Sequence, residues 1–354
     1  MRQEIKVFFG ILNWGLGHAT RCVPIIREFQ KRNLKLLIGS DGEALLFLKR
    51  EFPEQEFIEM PSYNVRYPYK NMTLNMVIQL PGFLSTIRKE NLYVQEIISK
   101  HNVSAIVSDN RYGLYSSKVP TVFITHQTTI LNQNPLIAIL VNRLNLFFLK
   151  KFDSIWIPDF DTENNLSGEL GHKLKLPSIR YIGPLSRLEK TEQSLDCDIV
   201  AVLSGPEPQR TFFEQKLIAQ LAALKLKSIL VQGKTDLKNQ RSFYNDNLEI
   251  LPFADAETLS GLIKGAKLFI SRSGYSTLMD LAKIGPKKLL LIPTPGQTEQ
   301  EYLAKNMQER GFALVQKQSE LNVKKAWEGR KAFKSFFMES QSDLLEVAVE
   351  KFLI

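Results

Sequence analysis

The chain has 354 residues, which exceeds one ordinary hydrophobic core and suits two domains of roughly 100–200 residues each. Hydrophobic residues make up 44% of the chain, which is typical of a folded protein. Its 2 cysteines are far apart and its 4 histidines are scattered, which argues against a disulfide framework and against a metal centre. The net charge of +9 favours an anionic partner such as a nucleotide, a nucleic acid or an acidic membrane surface.

The first half of the chain alternates short apolar runs with helical patterns. The run KVFFGIL predicts a buried strand, and amphipathic spacing predicts a helix over about residues 20–30. Further strands are predicted in LKLLIG, EFIEM, SAIVSD and TVFITH, with helices over residues 43–52 and about 82–100 between them. Continuous apolar strands separated by helices are typical of a parallel sheet covered on both faces. The opening apolar run is too short for a signal-peptide core, so we expect a cytoplasmic protein.

Apolar residues dominate the stretch LIAILVNRLNLFFLKKF. Asn142, Arg143 and Asn145 interrupt it, so it falls short of the roughly 18 uninterrupted residues that a membrane span needs. It predicts either a helix packed on the sheet with a basic last turn, or a helix lying on a membrane surface. The packed helix is the simpler interpretation, and peripheral contact with the inner face of a membrane stays open.

The alternation restarts after the pair Gly183-Pro184. Strands are predicted in DIVAVLSG, SILVQG, LEILPF, KLFISR and LLLIPT, and the tail DLLEVAVEKFLI predicts a closing amphipathic helix. We therefore predict an α/β protein of two Rossmann-like, doubly wound domains facing each other across a cleft, spanning residues 1–183 and 184–330. Residues 331–354 form the closing segment, for which packing back on the N-terminal domain is one arrangement. Ligands of such folds bind at the carboxyl ends of the strands.

The segment SRSGYST carries a phosphate-binding pattern. Gly274 permits a turn after a strand, and the positive end of the following helix suits a phosphate. Asp280 follows on the same helix, where its carboxylate can accept hydrogen bonds from ribose hydroxyls. The next strand end, IPTPGQTEQEY, offers Gln297, Gln300 and Glu301 to sugar hydroxyls. Taken alone, a Ser-Gly turn is also explained by structure, because glycine serves any tight turn.

Residues 251–311 as a whole resemble the nucleotide-sugar-binding half of GT-B glycosyltransferases. The resemblance is to family 28, which contains the N-acetylglucosaminyltransferase of peptidoglycan synthesis. The matching stretches are PFADAETL, SRSGYSTLMDLA and IPTPGQTEQEYLAKNMQERGFA, in the order and spacing of the family. The resemblance implies a UDP-sugar donor bound by this half of the chain.

The resemblance implies roles for individual residues. It implies nucleotide contacts from Phe253 and Ala254 at the uracil, Ser273 and Gly274 at the diphosphate, and Asp280 at the ribose. Gln300 and Glu301 fall at a Gln-Gln pair that recognises the donor sugar in the family. Two positions depart from the family pattern: Asp280 replaces a longer glutamate, and Glu301 replaces a glutamine and so lacks an amide donor.

The first loop of the second half, LSGPEPQR, matches a glycine-richer turn of the family. Ser204 and Gly205 fit that turn, whereas Pro206 and Pro208 each lack an amide for a phosphate. Arg210 has two interpretations. It either supplies the missing positive charge to the nucleotide, or it is a solvated arginine at a helix start.

The loop NWGLGHATR follows the first strand. It is similar to the glycine-rich loop that ends Gly-His in many GT-B enzymes, with Gly15 and Gly17 as the phosphate-loop glycines. A histidine with a pKa near 6.5 can take a proton from an acceptor hydroxyl at neutral pH, so His18 is the candidate general base. The structural alternative is that His18 caps the helix. Arg21 lies on the same helical face and reaches either a phosphate or Glu28.

Further polar residues follow two other strands of the first half. Asp109 is the alternative base, and Arg111 and His126 are predicted acceptor contacts, with loop capping as the structural alternative for each. The aromatic loop MPSYNVRYPYKNMTLNM adds Arg66 and Lys70, which suit an anionic or carbohydrate acceptor or belong to a surface loop.

These observations predict a metal-independent, inverting glycosyltransferase without a cofactor. Its partners are a UDP-sugar donor and a carbohydrate, lipid-linked or small-molecule acceptor. The stretch GHATRC also resembles the Gly-His-x-x-Arg-Cys stretch of GT-B-fold UDP-sugar hydrolases, so a nucleotide-sugar hydrolase is one alternative and a non-catalytic nucleotide-sugar-binding protein is another. No helix-turn-helix, zinc-finger or RNA-binding aromatic motif is visible in the sequence, so we expect no nucleic-acid partner.

Overall fold

The computed structural model describes residues 5–66, 72–234, 241–338 and 343–353. The chain divides into two compact units, the first comprising residues 1–185 with 341–354 and the second residues 186–340. The boundary predicted from the sequence lies two residues earlier, at 183/184, and the predicted second domain ends at residue 330. Each unit is built around one mainly parallel sheet.

A sheet of seven strands forms the centre of the first unit, in the order β3-β2-β1-β4-β5-β6-β7. All neighbouring strands in it are parallel. Their side chains are mostly buried, which is why the strands are continuous apolar runs. The strands are β1 (Lys6–Ile11), β2 (Lys35–Ser40), β3 (Glu56–Glu59), β4 (Ala105–Asp109), β5 (Thr121–Ile124), β6 (Ser154–Ile157) and β7 (Ile179–Tyr181).

Five helices connect these strands, and two of them begin earlier than predicted. The helices are α1 (Leu16–Gln30), α2 (Gly42–Glu51), α3 (Met72–His101), α4 (Pro135–Leu149) and α5 (Glu169–His172). Helix α1 starts at residue 16 rather than about 20, because Gly15 adopts φ 79° and turns the chain directly from the loop into the helix. The start predicted near Gly82 is wrong, since Pro81 and Gly82 lie inside α3.

The second unit repeats the architecture with strand order β10-β11-β9-β8-β12-β13-β14. Only the pair β10–β11 is antiparallel. The strands are β8 (Cys197–Val202), β9 (Ser228–Val231), β10 (Ser242–Asn245), β11 (Leu248–Leu251), β12 (Ala266–Ser271), β13 (Leu289–Leu291) and β14 (Ala313–Val315). Neither edge strand of this sheet, β10 or β14, was predicted from the sequence, because β10 is largely exposed and β14 has only three residues.

The described part of the chain contains six further α-helices. They are α6 (Gln209–Ala223), α7 (Ala256–Gly265), α8 (Tyr275–Ile284), α9 (Thr298–Glu309), α10 (Val323–Gly329) and α11 (Leu344–Leu353). Helix α11 packs on the first unit, where the ring of Phe352 lies 6.5 Å from that of Phe29 and 5.8 Å from that of Trp156. The closing helix therefore contributes apolar surface to the first unit's core.

In both units the strand order reverses at the first strand of the sheet. Strand β1 lies between β2 and β4, and β8 lies between β9 and β12. Loops on opposite sides of such a reversal diverge at the carboxyl edge and leave room for a ligand. His18 follows β1 and Asp109 ends β4, while Gly205 follows β8 and Arg272 follows β12. The fold thus puts candidate residues at the ligand-binding edge of each sheet.

Candidate functional site

Four polar side chains meet at the carboxyl edge of the first sheet. Asp109 ends β4 and lies beside Ile11 of β1, close to the first turn of α1 that carries His18. Nδ1 of His18 is 2.5 Å from Oδ1 of Asp109. Arg21 donates to both oxygens of the same carboxylate, from Nε to Oδ2 at 2.6 Å and from Nη2 to Oδ1 at 2.8 Å. Nη1 of Arg21 also lies 3.1 Å from Nδ1 of His126.

The charges of this cluster determine where the proton of His18 resides. Burial alone would raise the pKa of Asp109, but Arg21 and His18 outweigh it and hold that pKa well below its usual range. An ionised carboxylate only accepts hydrogen bonds, so Nδ1 of His18 carries the proton and Nε2 keeps its lone pair. Burial, and then the positive charge of Arg21, lower the pKa of His18 despite the opposing effect of Asp109. His18 is therefore a neutral base at pH 7.

Two structural alternatives for this loop are wrong. Gly15 occupies the N-cap position of α1, where no side chain accepts a hydrogen bond from the helix, so His18 is not a helix cap. Arg21 is buried against Asp109 and does not pair with Glu28 on the surface. Its guanidinium is also already used twice by one carboxylate, which argues against a role on a phosphate.

Asp109 is wrong as the alternative base. Its side chain is only 1% exposed and accepts hydrogen bonds from both His18 and Arg21. Because its pKa is lowered, it is a poor proton acceptor. The geometry makes it the residue that orients His18, as the aspartate does in a Ser-His-Asp triad.

His126 belongs to the same cluster, which the sequence did not reveal. Arginine only donates hydrogen bonds, so Nδ1 of His126 accepts from Arg21 and Nε2 carries the proton. The residue follows β5 and is 6% exposed. Its role as an acceptor contact stays a prediction.

The prediction that Arg111 contacts the acceptor is wrong. Its guanidinium is fully buried and pairs with Glu90, at 2.6 Å from Nη1 to Oε1, and with Asp41. It also donates to the backbone oxygens of Ile11 and Pro61, at 2.9 Å each. Arg111 therefore ties together the loops that follow β1, β2 and β3. Of the two basic residues predicted in the aromatic loop, Arg66 bonds through its backbone to Gln79, and Lys70 lies outside the described residues.

In the second unit, the loop after β8 exposes Ser204 and Gly205. Gly205 adopts φ 100°, a conformation that favours glycine. Arg210 donates from Nε to Oε1 of Glu207 at 2.8 Å, and its Nη2 lies 2.7 Å from the same oxygen. Arg210 therefore lies in the first turn of α6 and pairs with Glu207 at the surface, and its role towards the nucleotide stays a prediction.

The SRSG segment joins β12 to α8. Gly274 is the N-cap residue, with no side chain capping the helix, and Ser273 is buried and donates to the backbone oxygen of Gln300 at 2.7 Å. Asp280 lies one turn into the helix and accepts a hydrogen bond from the hydroxyl of Ser186 at 2.5 Å. Burial raises the pKa of Asp280 to about 6, against the opposing effects of Ser186 and Arg187.

The predicted sugar-binding residues lie at the end of β13 and the start of α9. Oε1 of Gln300 accepts from the backbone nitrogen of Thr294 at 2.9 Å, and its Nε2 donates to Oε1 of Gln297 at 2.5 Å. Glu301 is exposed in the first turn of α9. The two glutamines are therefore held in place by the loop itself, and their contact with a sugar stays a prediction.

The predicted uracil contacts follow β11 at the same edge of the sheet. Phe253 is half-buried and Ala254 is buried, while Asp255 caps α7 by accepting from the nitrogen of Thr258 at 2.8 Å. One charged residue at this edge, Arg272, was not predicted as a site residue, because it sits directly between a buried strand and the Ser-Gly turn. An arginine in that position is the signal that could have identified it.

The described residues contain neither a metal-binding cluster nor a helix that could span a membrane. In the ranges that the structure describes, no three His, Cys, Asp or Glu side chains are grouped in a way that would hold a metal ion. Nor does any helix there combine the length and apolar character needed to cross a bilayer.

The chain is similar to glycosyltransferases along most of its length. Residues 200–332 match the glycosyltransferase family 28 C-terminal domain. A UDP-N-acetylglucosamine--N-acetylmuramyl-(pentapeptide) pyrophosphoryl-undecaprenol N-acetylglucosamine transferase of Exiguobacterium sibiricum is 34% identical over 323 residues, covering 86% of this chain and 84% of that protein. An uncharacterized glycosyltransferase of Methanosarcina acetivorans is 23% identical over 334 residues, covering 87% and 82% of the two proteins.

Solved structures of glycosyltransferases share the fold. A calicheamicin glycosyltransferase matches with a TM-score of 0.64 at 13% identity, covering 99% of this chain and 94% of that one. MurG of Acinetobacter baumannii matches with a TM-score of 0.58 at 12% identity, covering 99% of each chain. The predicted fold class of two Rossmann-like α/β domains of the GT-B type is confirmed.

Proposed function

The chain belongs to glycosyltransferase family 28. From that premise we propose that it transfers a sugar from a UDP-sugar to an acceptor hydroxyl with inversion of configuration at the anomeric carbon. The proposed general base is His18, and the proposed reaction uses no metal ion. The observation that carries this proposal is the geometry of His18, Asp109 and Arg21. A neutral imidazole with Nδ1 held by an ionised carboxylate is a base whose lone pair is fixed in direction.

In the proposed reaction the acceptor oxygen attacks the anomeric carbon from the face opposite UDP. Its proton passes to Nε2 of His18, and the carbon–oxygen bond to the diphosphate breaks so that UDP leaves with the electron pair. Asp109 remains ionised and stabilises the imidazolium that forms. Inversion follows from a single displacement, and no covalent sugar–enzyme intermediate is needed.

The second unit supports the proposed donor. The matched family domain spans residues 200–332, which include the loop after β8, the SRSG turn and the glutamine pair. The positive end of α8 suits the diphosphate, and the carboxylate of Asp280 suits ribose hydroxyls. The Exiguobacterium relative is named for UDP-N-acetylglucosamine, which favours a UDP-sugar here. Stabilising the leaving group by these means requires no metal.

A lipid-linked acceptor at a membrane surface is the acceptor class that we favour. Helix α4 exposes apolar side chains on its outer face, with Leu136 77% and Leu140 66% exposed, and Ile139 and Phe147 more than half exposed. Arg143 on the same helix and Lys150 at its C-cap are exposed and suit anionic headgroups. The prediction that this helix packs on the protein holds for the face of α4 that buries Asn145 and Leu149. The Exiguobacterium relative is named for a pyrophosphoryl-undecaprenol acceptor, which agrees with this class.

Helix α4 is also fixed beside the candidate acceptor residues. Nδ2 of Asn145 donates to the backbone oxygen of Thr128 at 3.1 Å, and Oδ1 accepts from the hydroxyl of Tyr112 at 2.8 Å. Thr128 belongs to the loop after β5 that carries His126. An acceptor anchored in lipid by α4 would therefore have its polar part near that loop. We accordingly propose peripheral attachment to a membrane.

The proposal is tested by measuring UDP release from a panel of UDP-sugars, with and without a polyprenyl-linked acceptor fraction in anionic vesicles. We expect release that depends on the acceptor, is unaffected by EDTA, and is lost in His18→Ala. Release at full rate without acceptor would mean that the protein hydrolyses its donor. Activity that vanishes in EDTA and returns with Mg²⁺ would contradict the metal-independent mechanism.

A further inference from the structure

Arg272 is a buried cation at the carboxyl edge of the second sheet. Its Nη1 donates to the backbone oxygens of Ile292 at 3.1 Å and Pro293 at 3.2 Å. Its Nη2 donates to the backbone oxygen of Gln209 at 3.2 Å and to Oε1 of Gln318 at 2.6 Å. All four acceptors are neutral, and no carboxylate among the described residues forms an ion pair with this guanidinium.

Arg272 differs in this respect from the other buried arginines of the described chain. Arg21 pairs with Asp109, and Arg111 pairs with Asp41 and Glu90. Burial lowers the pKa of Arg272 to about 10, so it is still positively charged at pH 7. A buried charge without a counter-ion is costly, and proteins normally pair such charges. The unpaired positive charge therefore indicates that an anion completes this site.

Two buried donor atoms at this edge have no hydrogen-bond partner within the described chain. Nε of Arg272 and the hydroxyl oxygen of Thr294 are buried and make no hydrogen bond to any described residue. A Cβ atom added at Gly205 would lie 3.4 Å from that hydroxyl oxygen and 4.0 Å from Nε of Arg272. Gly205 is exposed and has no side chain, so the space on this side of its α-carbon is open to a ligand atom. An anion above Gly205 would lie within a short distance of both.

The loop itself provides little positive character for such an anion. Pro206 and Pro208 have no amide to donate, and Arg210 already pairs with Glu207. Ring stacking holds Arg272 in position, since its guanidinium carbon lies 4.2 Å from the ring centroid of Phe213. The positive charge missing from the loop is thus present directly beneath it.

We propose that Arg272 provides the counter-charge for the diphosphate of the nucleotide sugar, bound over Gly205, with the hydroxyl of Thr294 as a second donor. The inference rests on the proposed function, because a nucleoside diphosphate donor is the anion that this edge of the sheet would receive. The same charge would stabilise UDP as the leaving group when the anomeric bond breaks.

The test compares the binding of UDP with that of uridine, which lacks the diphosphate. Dissociation constants are measured by calorimetry for UDP and by ligand-observed NMR titration for uridine, on wild type and Arg272→Gln. Losing a charge-assisted interaction should weaken UDP binding by about 10- to 100-fold and leave uridine binding within about threefold. Arg272→Lys, which keeps the charge, should recover part of the UDP affinity. Lys267→Gln is the matched control, because it removes one positive charge at the opposite edge of the same sheet, where Lys267 pairs with Asp198.

Thr294→Val provides a second test that does not depend on the stability of the arginine variants. Removing a buried hydroxyl without a partner should leave the melting temperature of the ligand-free protein unchanged or higher, yet weaken UDP binding by about fivefold. A structural role for Thr294 predicts the reverse, a lower melting temperature with unchanged UDP binding.

Separate results overturn the inference and the proposed donor. Equal losses of UDP and uridine affinity in Arg272→Gln, or unchanged UDP affinity in both Arg272→Gln and Thr294→Val, would show that Arg272 does not serve the diphosphate. Wild-type protein that binds another nucleoside diphosphate but not UDP would contradict the UDP donor only, and the same variants would then be compared with that ligand. Wild-type protein that binds no nucleoside diphosphate would overturn both.

Discussion

Replacing His18 by alanine removes the group that we propose as proton acceptor. General-base catalysis contributes about 10²–10⁴-fold, so kcat for acceptor-dependent UDP release should fall by that factor. The UDP dissociation constant should change by less than about twofold, because a base acts mainly in the transition state. Asp109 loses one hydrogen bond but keeps two from Arg21, which limits the loss of stability to about 1.5–3 kcal/mol. The variant should therefore stay folded.

Asp109→Asn removes the negative charge of the carboxylate that orients His18. The imidazolium that forms during transfer loses its negative partner, so kcat should fall about 10²–10⁴-fold here as well. Arg21 is only 2% exposed, and its Nε and Nη2 would lose the ionised acceptor to which both now donate. That change should lower the free energy of unfolding by about 3–5 kcal/mol. Equal loss of activity with a larger loss of stability is the expected signature.

The double variant His18→Ala/Asp109→Asn measures whether the two residues act as a unit. Its kcat should lie within about threefold of the slower single variant, because each change removes the same function. The assay is coupled detection of UDP at saturating donor, at a temperature where thermal unfolding shows every variant folded. His101→Ala is the matched control, since His101 lies at the end of α3 and pairs with Glu56. A folded His18→Ala that retains more than about a tenth of wild-type kcat would refute the assignment, because general-base catalysis is worth at least 10²-fold.

Four further results are expected. Since burial and Arg21 lower the pKa of His18, the acid limb of kcat/KM should have its midpoint below pH 6.5, and a midpoint above that value would contradict a neutral base. The pKa of Asp280 is raised to about 6 in the folded protein, so the ionised carboxylate costs stability at pH 8, and this cost is smaller at pH 5, where the group is largely protonated. Asp280→Asn should therefore raise Tm more at pH 8 than at pH 5. An equal rise in Tm at both pH values would contradict the raised pKa. Arg111→Ala should cost about 3–5 kcal/mol in denaturant unfolding by leaving Asp41 and Glu90 unpaired, against about 0–1 kcal/mol for the surface control Arg27→Ala. Leu140→Ser with Phe147→Ser should reduce sedimentation with anionic vesicles by at least about tenfold and leave UDP binding unchanged, whereas unaltered sedimentation would exclude α4 as the membrane contact.

Local patterns in the sequence were sufficient to predict the fold class and the family. Burial on both faces of a parallel sheet produces continuous apolar strands, and these strands alternate with amphipathic helices in both halves. The family resemblance over residues 251–311 is confirmed by the matched domain at 200–332. The position of His18 directly after the first strand also follows from the sequence alone, because a parallel sheet collects such loops at one edge. The exposed edge strand β10 and the start of α3 did not follow from it, since neither has a strong period.

The partners of the charged residues were decided only by the tertiary structure. Asp109 is separated from His18 by 91 positions and reaches it because β4 is the neighbour of β1, an order that no local pattern encodes. The same strand order turns Arg21 into the partner of Asp109 and buries Arg111 between Asp41 and Glu90. It also leaves Arg272 without a carboxylate at the edge of the second sheet. The sequence by itself therefore determined which residues lie at the strand ends. Their ionisation and chemistry depend on which strand ends are neighbours, because a charge acts over a few ångströms of space and not along the chain.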